Sequence, residues 1–188
     1  MNRLLNGTVY TAPPIKGSRF RATVVVVDSL DAAMAQLAAV RGADPDATHH
    51  CWAFKLANGA VRCSDDGEPS GTAGRPILAR LEGSEVVDAL VVVTRWYGGT
   101  KLGAGGLVRA YGRTAGDALA DCPMAPWVPM VSLVLEYDYA DVGAVDALVQ
   151  GETLYGARIQ RTVSVPASTR DALVDALMEA TAGRVSVR

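Results

Sequence analysis

Three segments concentrate side chains that could do chemistry. The longest runs from Ala89 to Gly116. It holds Arg95, Lys101, Arg109 and Arg113 with no acid, and seven of the chain's 19 glycines fall between Gly98 and Gly116. Glycines let backbone amides come close to a ligand, and the amides that open a helix lack internal acceptors and carry the positive end of its dipole. Gly103, Gly105 and Gly106, just ahead of a helical run from Leu107, are therefore candidates with the four bases to hold phosphate or carboxylate. Arg109 and Arg113 are four apart and share a helix face, so both could follow one phosphate track. Neither GxxxxGK[ST] nor a full GxGxxG is present. The plain alternative is glycines that serve turns and packing, with solvated bases.

The second segment is SDDGEPSGTAG, Ser64 to Gly74. Asp65, Asp66 and Glu68 could hold a Mg²⁺ that bridges to a phosphate, since this ion favours one or two carboxylates plus ligand oxygens. Ser64 and Ser70 complete the loop, and no GxSxG elbow makes either a nucleophile. A solvated acidic turn is the alternative, and Ser64–Gly71, almost all turn formers, is predicted to be mobile. The third segment is His49-His50-Cys51. In a strand, His49 and Cys51 share one face and His50 takes the other. No metal-ligand spacing accompanies them, so no metal site is predicted. A Cys–His nucleophile at Cys51 or Cys63 is conceivable, and half-buried strand histidines are the simpler expectation.

The 188 residues are 49% hydrophobic and 20% charged, with 18 basic against 20 acidic side chains and a formal net charge of −2. That composition excludes a disordered tail and gives no global basic footprint for nucleic acid, so any anion site must be local. The three cysteines (51, 63 and 122) are odd in number, form no CxxC and suit reduced thiols in a reducing cytosol. No signal-peptide pattern opens the chain, and no apolar window approaches the ~20 residues of a membrane span. A cytoplasmic protein without membrane contact is expected.

The elements that must position these segments follow from periodicity. Arg19–Val27 reads as a buried strand, Ala32–Arg41 as an amphipathic helix started by Asp28-Ser29-Leu30-Asp31, and His49–Leu56 with Ala60–Cys63 as a hairpin about Asn58-Gly59. Thr72 is placed to cap a short helix through Leu81. Asp88–Thr94 is a second buried strand, Arg95–Gly106 a glycine-rich loop and Leu107–Ala120 a helix. Pro123, Pro126 and Pro129 break both periodicities, which places a boundary there: a first domain over 1–125 and a second over 126–188. Beyond it a strand (130–137), a helix (141–150), a strand region or hairpin (153–165), a helix (168–181) and a terminal strand (184–188) give the β-α-β-β-α-β order of ferredoxin-like domains.

ATHHCWAF (Ala47–Phe54), SDDGEPSGTAGRPIL (Ser64–Leu78) and VVVTRWYGGTKLGAGGLVRAYG (Val91–Gly112) occur in one order and together resemble the signature of the IMPACT/YigZ family. The resemblance runs from about Gly17 to Leu119, and the small C-terminal part is similar to the appendage of bacterial YigZ-like members. It departs in two places: the motif's aromatic pair is Trp96-Tyr97 here, and Arg21 stands where an aliphatic residue is usual. The resemblance implies an α+β protein of two domains. The first would be like domain 2 of ribosomal protein S5, as in GHMP kinases, and the second ferredoxin-like, as in elongation factor G. It also implies a role in translational control, with RNA, the ribosome or a translation-control protein as partner. No cofactor is expected beyond the Mg²⁺ that the acidic loop could hold. An enzyme using the same loop for a small phosphorylated ligand and a pure protein-interaction module are the alternatives.

Overall fold

The computed structural model describes residues 1–188. The chain divides into two compact units, Met1–Trp127 and Val128–Arg188. In the first unit the elements are β1 (Asn2–Leu4), β2 (Thr8–Ile15), β3 (Ser18–Val26), α1 (Leu30–Ala43), β4 (His49–Lys55), β5 (Val61–Ser64), α2 (Gly74–Gly83), β6 (Val86–Val87), β7 (Ala89–Trp96), α3 (Ala104–Ala120) and β8 (Met124–Pro126).

Five strands form one antiparallel sheet in the order β2-β3-β7-β4-β5. Its two faces follow from the two-residue period of a strand. Phe20, Ala22, Val24, Val91 and Val93 pack under α2 and α3 on one face. Val25, Phe54, Leu90 and Val92 pack under α1 on the other. Helices on both sides make the central β7 apolar without alternation, because every residue from Ala89 to Arg95 is buried. Ser29 caps α1, its Oγ accepting from the Ala32 amide at 3.2 Å. At the hairpin turn, the Asn58 side chain accepts from the Ala60 amide.

Strands β1, β2 and β8 fall outside the expected elements. β2 is a sheet edge, the one place where Pro13-Pro14 is compatible with a strand, and the pairing shifts register between Ala12 and Ile15. β1 pairs with β6 and with β8 in a separate three-stranded patch. The proline-rich segment is therefore partly structured: Met124–Pro126 is a strand, and the Pro123 carbonyl accepts from the Leu5 amide. Helix α3 begins at Ala104, three residues ahead of the expected Leu107, so Gly105 and Gly106 are helical rather than loop.

The second unit contains β9 (Met130–Tyr137), α4 (Val142–Asp146), β10 (Glu152–Tyr155), β11 (Ile159–Pro166), α5 (Arg170–Ala180) and β12 (Ser186–Val187). Its sheet order is β10-β11-β9-β12, antiparallel throughout. Leu133, Leu135, Tyr137, Val145, Ile159, Leu177 and Val185 form its core. Helix α4 stops well short of the expected Gln150. The region 153–165 resolves into a hairpin. No helix of either unit is long and apolar enough to cross a membrane.

Candidate functional site

The acidic loop is built into the first unit. Asp65 Oδ1 accepts from the Ala73 and Gly74 amides at 2.9 and 2.8 Å, and Oδ2 accepts from the Gly71 amide at 2.8 Å. The carboxylate of Asp65 thus caps α2 from eight and nine residues upstream. The expected cap Thr72 instead donates its hydroxyl to the Pro69 carbonyl at 2.6 Å. Burial pushes the Asp65 carboxyl up, but the three amides and Arg75 outweigh it and hold the pKa below the usual value. Gly74 permits this join, because a Cβ there would lie 2.8 Å from the Ser64 backbone.

Asp66 Oδ2 accepts from the His50 amide at 2.6 Å, and Oδ1 takes Arg41 Nη2 at 2.5 Å. Its own amide donates to Ser64 Oγ. Glu68 Oε1 accepts from Arg95 Nη1 at 2.5 Å and from the Tyr111 hydroxyl at 2.7 Å. These bonds replace the expectation of an unanchored loop, because its three acids tie it to α2, β4, β7 and α3. Each carboxylate of the loop is engaged by amides, a guanidinium or a hydroxyl, so a Mg²⁺ bound here would have to share oxygens that the fold already uses. Ser70 is exposed at the loop surface.

Arg95 is the principal correction among the expected anion ligands. It is 4% exposed, pairs with Glu68, donates Nη2 to Ser18 Oγ at 3.2 Å and lies over the Phe20 and Tyr97 rings. A guanidinium neutralised in this way is a structural cation, not a surface phosphate contact. The nearby Gly98 serves packing, since a Cβ there would come within 1.9 Å of the Gly17 backbone. Cys51 is fully buried and donates to the Asp65 carbonyl, and burial pushes its thiol up to about 12, which removes it as a nucleophile at neutral pH.

The remaining candidates divide between two concavities. One is a cleft of about 470 Å³ at the start of α3, where His49, Glu68, Arg95, Tyr97, Lys101 and Gly103 meet. His49 and His50 point to opposite faces of β4. His49 Nδ1 lies 2.8 Å from the Asp66 carbonyl. His50 is buried, burial lowers its pKa, and its Nε2 has no partner. The other is a groove of about 740 Å³ alongside α3, where Lys16, Arg80, Arg109 and Arg113 converge. Arg113 pairs loosely with Asp117, one turn on at 3.5 Å, while Lys16, Arg80 and Arg109 form no ion pair. Asp117, which also accepts from the Tyr10 hydroxyl, is the single acid of the groove. Arg109 and Arg113 therefore share a site as their spacing predicts, whereas Lys101 and the buried Arg95 belong to the cleft.

Residues 16–119, which contain every charged residue of both concavities, match the family model described as the Impact N-terminal domain. The chain belongs to the IMPACT family. It is 38% identical to the IMPACT family member YigZ of Escherichia coli (strain K12) over 82% of this chain and 80% of that one. It is 42% identical to an IMPACT family member of Thermus thermophilus over 74% of this chain and 76% of the relative. A crystal structure described as that of a hypothetical protein superposes on 99% of this chain and 95% of its own, with a TM-score of 0.74 and 33% identity. That likeness spans both units of the IMPACT-family chain.

Sequence reasoning missed Lys16 and Arg80. Lys16 lies on the β2–β3 turn, a hairpin hidden by the prolines before it. Arg80 reaches the groove because α2 packs beside a Gly112–Gly116 stripe on α3, where added Cβ atoms would touch the Arg80 side chain at 3.7 and 3.4 Å. The signal was a GxxxG at 112–116, which marks a face that another element can approach closely.

Proposed function

We propose that this IMPACT-family protein is a translation-associated regulator whose first unit holds the phosphate backbone of RNA in the groove beside α3. The observation that carries this reading is the convergence of Lys16, Arg80, Arg109 and Arg113 on one concave surface with Asp117 as its sole acid. A nearly neutral chain that gathers four cations in one groove has a local electrostatic footprint suited to a polyanion. The translational role rests on the family to which the chain belongs. We take the first unit as ribosomal protein S5 domain 2-like. The second is taken as ferredoxin-like, supported by its β-α-β-β-α-β order and antiparallel β10-β11-β9-β12 sheet. Three unpaired cysteines suit a cytoplasmic setting.

The test is a titration of full-length protein with short single-stranded RNA across a salt series, read by fluorescence anisotropy. Affinity is expected to fall linearly on a log–log plot, and Arg80→Ala and Arg109→Ala are each expected to lower the slope by about 0.7, one phosphate contact on a single strand. Co-sedimentation with ribosomes should weaken in parallel. Folded protein that binds no RNA at low salt would end this proposal.

A further inference from the structure

We propose that strand β5, one free edge of the first unit's sheet, is a docking site for an acidic, extended segment of a partner protein, which adds to the sheet as a sixth strand. This goes beyond the RNA groove, which lies beside α3 and shares no residue with β5. The two edges of the sheet differ. β2 carries Pro13-Pro14 and a shift of register, two devices that keep another strand from pairing with an edge. β5 has no proline and pairs with β4 in unbroken register, and Val61, Arg62 and Cys63 are exposed.

The β5 backbone is aimed outward at two residues. The Leu56 amide donates to the Ala60 carbonyl at 2.9 Å, which fixes the alternation along the β4–β5 ladder. In an antiparallel ladder every second pair is hydrogen-bonded, so Arg62 bonds to Phe54 and Ser64 to Trp52. Val61 and Cys63 therefore direct their N–H and C=O groups away from β4, to the side where the sheet has no further strand. Four main-chain groups at strand spacing are complementary to a peptide backbone, not to a nucleic acid.

The side chains around this edge select the partner's charge. Lys55 opposite Val61, Arg62 at the centre of β5, and Arg75 on α2 near Cys63 form no ion pair. Of the acids near Cys63, Asp65 is engaged by the α2 amides, which leaves Glu82 against three cations. The same charges disfavour a second copy of this chain as the occupant. Two β5 strands paired about their centres would set one Arg62 against the other, and like charges directly opposite destabilise a ladder. An antiparallel guest places one side chain opposite Arg62, at a non-hydrogen-bonded position where side chains approach most closely. Its neighbours fall opposite Val61 and Cys63 on the other face, so the fitting pattern is apolar, acidic, apolar.

The experiment is an NMR titration of full-length protein with a capped pentapeptide of alternating glutamate and valine, and with its lysine–valine counterpart as control. The acidic peptide is expected to saturate, to shift the amides of Val61–Ser64 and to slow hydrogen exchange at Val61 and Cys63. The basic peptide is expected to bind about tenfold or more weakly, and Arg62→Glu to reverse that preference. Val61→Pro removes an outward N–H without breaking a bond to β4, and is expected to weaken the acidic peptide by about fivefold or more, while Arg80→Ala leaves it unchanged. Absence of saturation at millimolar peptide overturns the proposal and leaves the RNA groove untouched. Equal binding of the two peptides, or full affinity in Val61→Pro, overturns it as well. Self-association of the free protein that Val61→Pro abolishes would give the edge to a second copy, and single-stranded RNA shifting Val61–Ser64 would give it to nucleic acid; either result also refutes the proposal.

Discussion

At Glu68, residue type and neighbours point one way and the fold goes the other. An acid among Gly67, Pro69, Ser70 and Gly71 reads as solvated, yet its side chain is 4% exposed and lies against Arg95 and Tyr111. Nothing local in the sequence reveals this, because both partners are far along the chain: Arg95 arrives on β7 beside β4, and Tyr111 arrives on α3. Glu68→Ala would strand Arg95 as a buried unpaired cation and is expected to cost about 3–5 kcal/mol in urea unfolding. A cost typical of a surface acid would show that Glu68 is free. On the opposite face, Arg21, Thr94 and His50 sit side by side on β3, β7 and β4, each with a buried polar atom lacking a partner. Thr94→Val keeps the shape and removes a buried hydroxyl without a bond, so it is expected to raise stability by about 1 kcal/mol rather than lower it. For His50, burial outweighs the pull of Asp66 and lowers the pKa, so the folded state favours the neutral ring. That contribution is whole above the unfolded value of about 6.5 and is lost as pH falls through the lower folded value. Urea midpoints measured between pH 7.5 and 5 should therefore fall, and His50→Leu should flatten the decline.

At the scale of elements, what was legible in the sequence had strong local chemistry. β3 and β7 are β-branched runs, α1 has a serine cap and an apolar stripe, and the β4–β5 turn carries Asn58-Gly59. What was illegible depended on distant partners. β1 and β8 exist because they pair with each other, and α2 begins at Gly74 because Asp65 reaches forward to its amides. The glycines divide in the same way. Gly98 touches the Gly17 backbone, whereas Gly42, near the end of α1, has nothing within 4 Å of an added Cβ. Gly98→Ala is thus expected to unfold the first unit or greatly lower its melting temperature. Gly42→Ala should stabilise by up to about 1 kcal/mol through helix propensity. Equal effects from the two substitutions would refute this division.

The whole molecule separates its charge as it separates its cores. Residues 1–127 carry 13 basic and 12 acidic side chains, net +1, and residues 128–188 carry 5 and 8, net −3. Every cation of the groove and the cleft lies in the first unit, and the second has a hydrophobic cluster of its own centred on Leu135, Tyr137 and Ile159. A chain whose units bury separate cores can lose one without losing the other. Leu135→Ala removes a fully buried side chain from the second core and is expected to cost about 2–5 kcal/mol, enough to unfold a core of that size. The amide spectrum should then lose dispersion for residues 128–188 while first-unit resonances keep their native positions. RNA affinity and its salt slope should persist, because the contacts proposed to set them are all in the folded unit. Loss of RNA binding with the first unit still folded would instead place part of the interface on the acidic second unit, where only a few exposed arginines such as Arg170 and Arg188 could supply it.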